Sequence, residues 1–78
     1  MELIVLSQTT CAPCKFVKNY LTNEEVEFTE ININEHAEAV EKYGITSTPV
    51  TILMDGDEEI VRVHGFAPDQ LEDLIEQL

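Results

Sequence analysis

Four consecutive branched aliphatic residues, Leu3-Ile4-Val5-Leu6, stand almost at the start of the chain. Successive side chains of a strand point to opposite faces, so a run with no polar alternation needs apolar cover on both sides. Such a strand belongs inside a layered α/β arrangement, not on a half-solvated sheet. The run gives way to the polar stretch Ser7-Gln8-Thr9-Thr10 and then to Cys11-Ala12-Pro13-Cys14, which holds both cysteines of the protein. Thr10 is a suitable helix cap, and Pro13 suits a first helical turn, where its missing N–H costs nothing. Cys14, Val17 and Leu21 then share one helical stripe with Phe16 and Tyr20 beside it, and Asn23 is a plausible stop.

The rest of the chain alternates in the same manner. Val26, Phe28, Ile31 and Ile33 predict a second strand with a slip of phase near Glu30. Asn34 is a candidate cap for a short helix carrying Ala37, Val40 and Tyr43, closed by Gly44. Val50 to Met54 read as a third strand, Asp55-Gly56 as a hairpin signal and Ile60 to His64 as the returning strand. Gly65 ends that strand, Pro68 opens a last helix, and Leu71, Leu74, Ile75 and Leu78 give it a stripe at i, i+3, i+4 and i+7. The predicted fold is therefore α/β, with the order β-α-β-α-β-β-α and a mixed four-stranded sheet flanked by three helices. Two β-α-β crossings predict parallel pairing among the early strands, and the hairpin adds an antiparallel pair. Cys11 then lies at the carboxyl end of the first strand, where open α/β sheets carry their chemistry.

No linker or repeat interrupts the 78 residues, so a single domain over 1–78 is expected, with a thin core. Sixteen acids against four bases give a formal charge of −12, which disfavours nucleic acid and anionic membrane surfaces as partners. Solubility and adaptation to salt both account for such a surface. Two of the four bases, Lys15 and Lys18, lie within four residues of Cys14. Met1-Glu2-Leu3 lacks the basic start and long apolar stretch of a secretory signal, and the apolar runs are too short to cross a bilayer. A soluble, monomeric, cytoplasmic protein is expected.

Two cysteines cannot form the stapling framework of a small secreted domain, which leaves catalysis or metal binding as the better readings. Cys11 is expected in the helix N-cap region or at the first helical position, where unpaired N–H groups and the positive end of the helix dipole favour the thiolate. Thiols in Cys-x-x-Cys motifs titrate near pH 7 in place of about 8.5, which makes roughly half of them reactive at neutral pH. Lys15 adds to the effect. Cys14, on the apolar stripe, suits a resolving thiol that attacks once Cys11 has captured a partner. Two other readings stand beside this one, a bland one and a sharper rival. The pair can simply pack as small apolar side chains, or it can bind copper as a thiolate metal carrier. Copper-carrying domains of this kind end in a strand, however, and commonly have Met where this chain has Thr9. A structural zinc site would need two further ligands, and His36 and His64 are not at finger spacing.

Thr48-Pro49 opens the third apolar run, and beside a dithiol motif it gains weight. Together these features make the chain resemble the thioredoxin–glutaredoxin superfamily over essentially its whole length. The resemblance implies that Pro49 is cis and faces the cysteines, and that Thr48 offers its backbone to an extended substrate. It also implies that Thr10, Ala12 and Pro13 line the same contact. Ser7-Gln8-Thr9-Thr10-Cys11 is similar to the glutaredoxin lead-in, although glutaredoxins commonly carry Lys at the position of Gln8 and a Gly-Gly pair where this chain has His64-Gly65. Ala12-Pro13 and the stretch from Tyr43-Gly44-Ile45 to Thr48-Pro49-Val50 resemble thioredoxin, without the acid that thioredoxins bury in the preceding strand.

Phe28-Thr29-Glu30-Ile31-Asn32-Ile33 and Gly65-Phe66-Ala67-Pro68 resemble a third group, the small redoxins with glutaredoxin-like sequences that supply electrons to ribonucleotide reductase. The second of these segments reads equally well as a strand end followed by a helix-starting proline. The resemblance implies a dithiol–disulfide oxidoreductase that reduces protein disulfides with Cys11 as nucleophile and Cys14 as resolving thiol. No bound cofactor is needed. Electrons come from NADPH through thioredoxin reductase, favoured by Gln8 and His64, or from glutathione. His64 is a candidate proton acceptor near the thiols, but a surface or packing role is expected for it and a surface position for His36. Tyr43 and Phe66 can flank the site, with core packing the safer expectation, and Lys18 is a cation placed towards the helix C-terminus.

Overall fold

The computed structural model describes residues 1–78. Its elements follow in the order β1 (Glu2–Ser7), α1 (Ala12–Asn23), β2 (Thr29–Asn32), α2 (Glu38–Tyr43), β3 (Val50–Asp55), β4 (Glu58–His64) and α3 (Pro68–Glu76). The four strands form one sheet in the spatial order β2-β1-β3-β4, the mixed architecture expected. β1 runs parallel to β2, pairing Ile4 with Thr29 and Ser7 with Asn32. It runs antiparallel to β3, pairing Glu2 with Met54 and Leu6 with Val50. Only the first crossing therefore gives a parallel pair. The chain from β2 through α2 passes beyond β1 and enters β3 from the opposite end, which corrects the expectation of two parallel crossings.

The uniform apolar run of β1 is explained by its central place. Leu3 and Val5 face α1 and α3, joining Val17, Leu21, Leu53, Val63, Leu71 and Leu74 in one core. Ile4 and Leu6 face α2 and join Ala39, Ile45, Val50 and Ile52 in a second. The phase slip near Glu30 has the same origin. Val26 and Phe28 precede the strand, which begins only at Thr29, and pack on the α1 side. Ile31 and Ile33 pack on the α2 side. Glu30 stands on the α1 side, where a carboxylate replaces the apolar residue that strict alternation would place there.

Several local expectations shift by a few residues. The cap of α1 is Cys11 and not Thr10. Asn34 does not cap α2, whose preceding residue is Ala37 with no side-chain bond, and the only buried residue of that helix is Ala39. Ala37 and Val40, placed on the predicted stripe, are exposed. The hairpin turns at Gly56-Asp57, one residue after the predicted pair, with Gly56 at φ 63°. The register slips between Leu53 and Met54, leaving Ile60 out of the ladder and exposed. Leu71 and Leu74 are buried as predicted in α3, whereas Leu78 lies past the helix end and is exposed.

Candidate functional site

The carboxyl end of β1, the start of β3 and the end of β4 meet at one edge of the sheet, since Leu6 pairs with Val50 and Val50 with His64. The loop after β1 leads there into Cys11, whose extended backbone (φ −150°, ψ 102°) makes it the cap of α1. Its Sγ accepts a hydrogen bond from the Cys14 backbone N–H at 3.2 Å. A sulfur thus does what a serine or threonine oxygen usually does at this position: it satisfies an N–H that the helix leaves unpaired. The same N–H favours negative charge on the sulfur when the pair is reduced. Pro13 sits in the first turn, as expected.

Cys11 and Cys14 are joined in a disulfide with their Cα atoms 5.3 Å apart. Their accessibilities differ sharply: Cys11 is half-buried, while Cys14 is 1% exposed beneath α1. The Thr48–Pro49 bond is cis. Pro49 is buried and Thr48 half-buried, and the Thr48 hydroxyl lies 3.7 Å from the Cys11 Sγ, donating to it. Thr10, Ala12 and Pro13 surround the disulfide and are exposed. The structure thus brings together all seven positions singled out in the sequence. It adds a side-chain contact from Thr48, for which only a backbone role was expected.

Two sets of supporting residues were not foreseen. The loop before Cys11 is tied to the loop after β2: the Thr9 backbone N–H donates to Asn34 Oδ1 at 2.8 Å, Asn32 Nδ2 donates to Thr9 Oγ1 at 3.3 Å, and the Asn34 N–H donates to Asn32 Oδ1 at 2.9 Å. The signal was the spacing Asn32-x-Asn34 at a strand end, which resembles a helix cap as much as a clamp. On the α1 face, the Ser7 hydroxyl and Lys18 Nζ both donate to Glu30 Oε2 at 2.8 Å. Lys18 therefore serves this ion pair and not the helix end. The bond from Lys18, and then that from Ser7, hold the Glu30 carboxyl below its ordinary value. No residue of β1 could signal this acid, because it comes from the neighbouring strand.

Of the two aromatic residues expected to pack in the core, Tyr43 does so and Phe66 does not. Tyr43 packs on the α2 face. Phe66 is 41% exposed and sits against Phe16, itself 54% exposed, with ring centroids 5.7 Å apart. His64 and His36 are exposed, as expected. Lys15 is exposed beside the disulfide. No three His, Cys, Asp or Glu side chains converge as they would around a metal ion, and no helix is long and apolar enough to cross a membrane.

The glutaredoxin family profile matches residues 3–59, from the first strand through the disulfide and the cis proline into the hairpin. The chain belongs to the glutaredoxin family. It is 39% identical over 79 residues to the SPbeta prophage-derived thioredoxin-like protein YosR of Bacillus subtilis (strain 168), covering 100% of this chain and 99% of that protein. It is also 39% identical over 70 residues to the glutaredoxin-like protein NrdH of Lactococcus lactis subsp. cremoris, covering 86% of this chain and 90% of the relative. Among solved structures, the glutaredoxin-like NrdH-redoxin from Escherichia coli, described as having a thioredoxin-like activity profile, superposes with a TM-score of 0.74. It is 28% identical and covers 95% of both chains. The fold is thus the thioredoxin fold, and the chain is a small thiol redoxin of a family of disulfide oxidoreductases.

Proposed function

We propose that this protein reduces disulfides of other proteins, with Cys11 as nucleophile and Cys14 as resolving thiol. The observation that carries the reading is the unequal accessibility of the two sulfurs: one caps a helix at the surface beside Thr48 and Pro49, and the other is 1% exposed. A nucleophile has to be reached from outside and a resolving thiol does not. In the reduced protein the Cys11 thiolate attacks one sulfur of the substrate disulfide. That bond breaks, its second sulfur leaves as a thiolate and takes up a proton, and a mixed disulfide joins Cys11 to the substrate. Cys14, having lost its proton, then attacks Cys11 Sγ and releases the second substrate thiol. Two electrons and two protons pass to the substrate, and the Cys11–Cys14 disulfide seen here is the product.

The polypeptide of the substrate would lie along Thr48, whose backbone flanks the sulfur, with Thr10, Ala12 and Pro13 on the other side. Recharging through thioredoxin reductase and NADPH is favoured over glutathione, because Gln8 and His64-Gly65 replace residues that glutaredoxins commonly use for the tripeptide. Oxidised ribonucleotide reductase is the first protein substrate to test, given the likeness of Phe28–Ile33 and Gly65–Pro68 to the small redoxins that serve it.

Insulin-disulfide reduction decides the roles. Cys11→Ser is expected to abolish turnover, whereas Cys14→Ser is expected to accumulate mixed disulfides that resolve only with added thiol. Full activity of Cys11→Ser would sink the assignment. Turnover with thioredoxin reductase plus NADPH, set against turnover with glutathione, decides the reductant.

A further inference from the structure

The exposed rings of Phe16 and Phe66 pack on each other from segments that adjoin the disulfide and the cis proline. Phe16 lies two residues beyond Cys14, and Phe66 follows Gly65, whose N–H donates to the Pro49 carbonyl at 2.8 Å. The Gly65 backbone at φ 70°, in the left-handed region that favours glycine, turns the chain there and delivers Phe66 to the surface. Tyr20, one helical turn past Phe16, extends the patch, its ring centroid 6.3 Å from that of Phe66 in an edge-to-face arrangement. Two exposed rings and a half-buried third, joined by ring contacts between α1 and the segment before α3, are more than scattered surface apolar residues.

The border of this patch is acidic. Glu24, Asp69 and Glu72 are exposed and form no ion pair or side-chain hydrogen bond. Their charges bear on Tyr20, whose phenol is raised above its ordinary value first by burial and then by Glu24, Glu72 and Asp69. The chain has little with which to neutralise them. Lys18 is paired with Glu30, Arg62 with Glu59, Lys42 lies over the Tyr43 ring, and Lys15, exposed beside the disulfide, pairs with no carboxylate. None of the four basic side chains pairs with these carboxylates, which leaves them open to a cation from another molecule.

We propose that Phe16, Tyr20 and Phe66, with their border of Glu24, Asp69 and Glu72, form a docking surface for a protein partner that brings an arginine or lysine side chain there as its disulfide reaches Cys11. A guanidinium or ammonium group gains twice at such a place, from the faces of aromatic rings and from carboxylates at their edge. The acidic border also repels acidic partners, which supplies selection as well as attraction. This inference rests on the disulfide-exchange reading above and adds to it the class of protein that is exchanged fastest.

The test uses the full reduced chain and two synthetic peptides that share one intramolecular disulfide, one carrying a pair of arginines beside it and the other a pair of glutamates. Reduction rates are measured at about 20 mM salt, where charges act over roughly 20 Å, and at about 0.5 M, where they act over roughly 4 Å. The arginine peptide is expected to react roughly tenfold faster at low salt, with the ratio falling towards about one at high salt. Asp69→Asn with Glu72→Gln is expected to lower the low-salt ratio about threefold. The same loss of charge at the hairpin, Asp57→Asn with Glu58→Gln, leaves it unchanged. Phe66→Ala slows the arginine peptide and Phe66→Tyr restores it. Equal rates for the two peptides at low salt, an equal effect of the hairpin pair, or no effect of Phe66→Ala would each overturn the docking proposal. An uncharged small disulfide runs alongside: if neither it nor either peptide is reduced, the disulfide-exchange reading itself fails.

Discussion

The two faces of the sheet are built on different principles. On the α1 and α3 side, the helices contribute Val17, Leu21, Leu71 and Leu74 to an eight-residue core. On the other side, α2 contributes only Ala39 to a core of six, the rest coming from β1, β3 and the segment before β3. What α2 lacks in apolar contact it partly recovers by polar ties: Arg62 reaches from β4 to donate to the Tyr43 carbonyl at 2.7 Å, and Gly44 closes the helix in the left-handed conformation. The disulfide hangs from the better-packed face, because Cys14 is the first buried residue of the stripe that continues through Val17 and Leu21. A thiol that must be held within a fraction of an ångström of its partner profits from a helix that cannot shift.

The sharpest way to break this contrast is to thin the two faces in turn. Leu21→Ala removes a fully buried side chain from α1 and is expected to cost about 3 kcal/mol in urea denaturation, towards the middle of the range for such truncations. Val40→Ala on α2, at 37% exposure, is expected to cost about 0.5 kcal/mol or less. Comparable losses would mean that α2 is no lighter a cover than α1. Thr51 offers the opposite change on the stronger face. Its hydroxyl is buried and has no hydrogen-bond partner. Thr51→Val replaces that oxygen by a methyl group and is expected to stabilise by about 1 kcal/mol, since an unpaired buried polar atom costs that much or more.

The polar tie of α2 can be cut without touching the core. Arg62→Met keeps the stem of the side chain but removes the donor to the Tyr43 carbonyl and the partner of Glu59. A loss of about 1 kcal/mol or less is expected. Amide exchange should quicken through 38–43 while α1 keeps its protection. Equal quickening in both helices would show that the two faces open as one unit.

Much of this contrast was legible in the residues themselves. The unbroken aliphatic run of β1 announced cover on both faces, and the 3.6-residue stripes of α1 and α3 announced which side chains would provide it. The reactive cysteine pair and the order of elements followed from local patterns of the same kind, whereas the cis state of Pro49 was implied only by the family resemblance. What escaped was everything decided between distant segments. The stripe Ala37, Val40 and Tyr43 misses Ala39, because six residues are too few to fix a helical phase. Phe66 was assigned to the core because nothing in Gly65-Phe66-Ala67-Pro68 shows that the turn at Gly65 presents the ring outward. The Ser7–Glu30–Lys18 cluster joins three elements and has no local signature at all.

That cluster gives a small expected effect and a clean sign. The folded carboxyl of Glu30 sits below its ordinary value because Lys18 and then Ser7 donate to its charged form. The folded state therefore holds the proton less tightly than the unfolded chain, and the contribution is fully present above the unfolded value near pH 4.3. It fades as pH falls through the lower folded value. The ion pair is partly solvated, with side chains 32% and 37% exposed, so it is expected to contribute about 0.5 kcal/mol. Glu30→Gln should lie below the parent by that amount at neutral pH and converge on it in acid. Because the chain carries sixteen acids, acidification also relieves general repulsion, but that relief is nearly common to both proteins and cancels in their difference. A difference that widens in acid would show that Glu30 is held by something other than its charge.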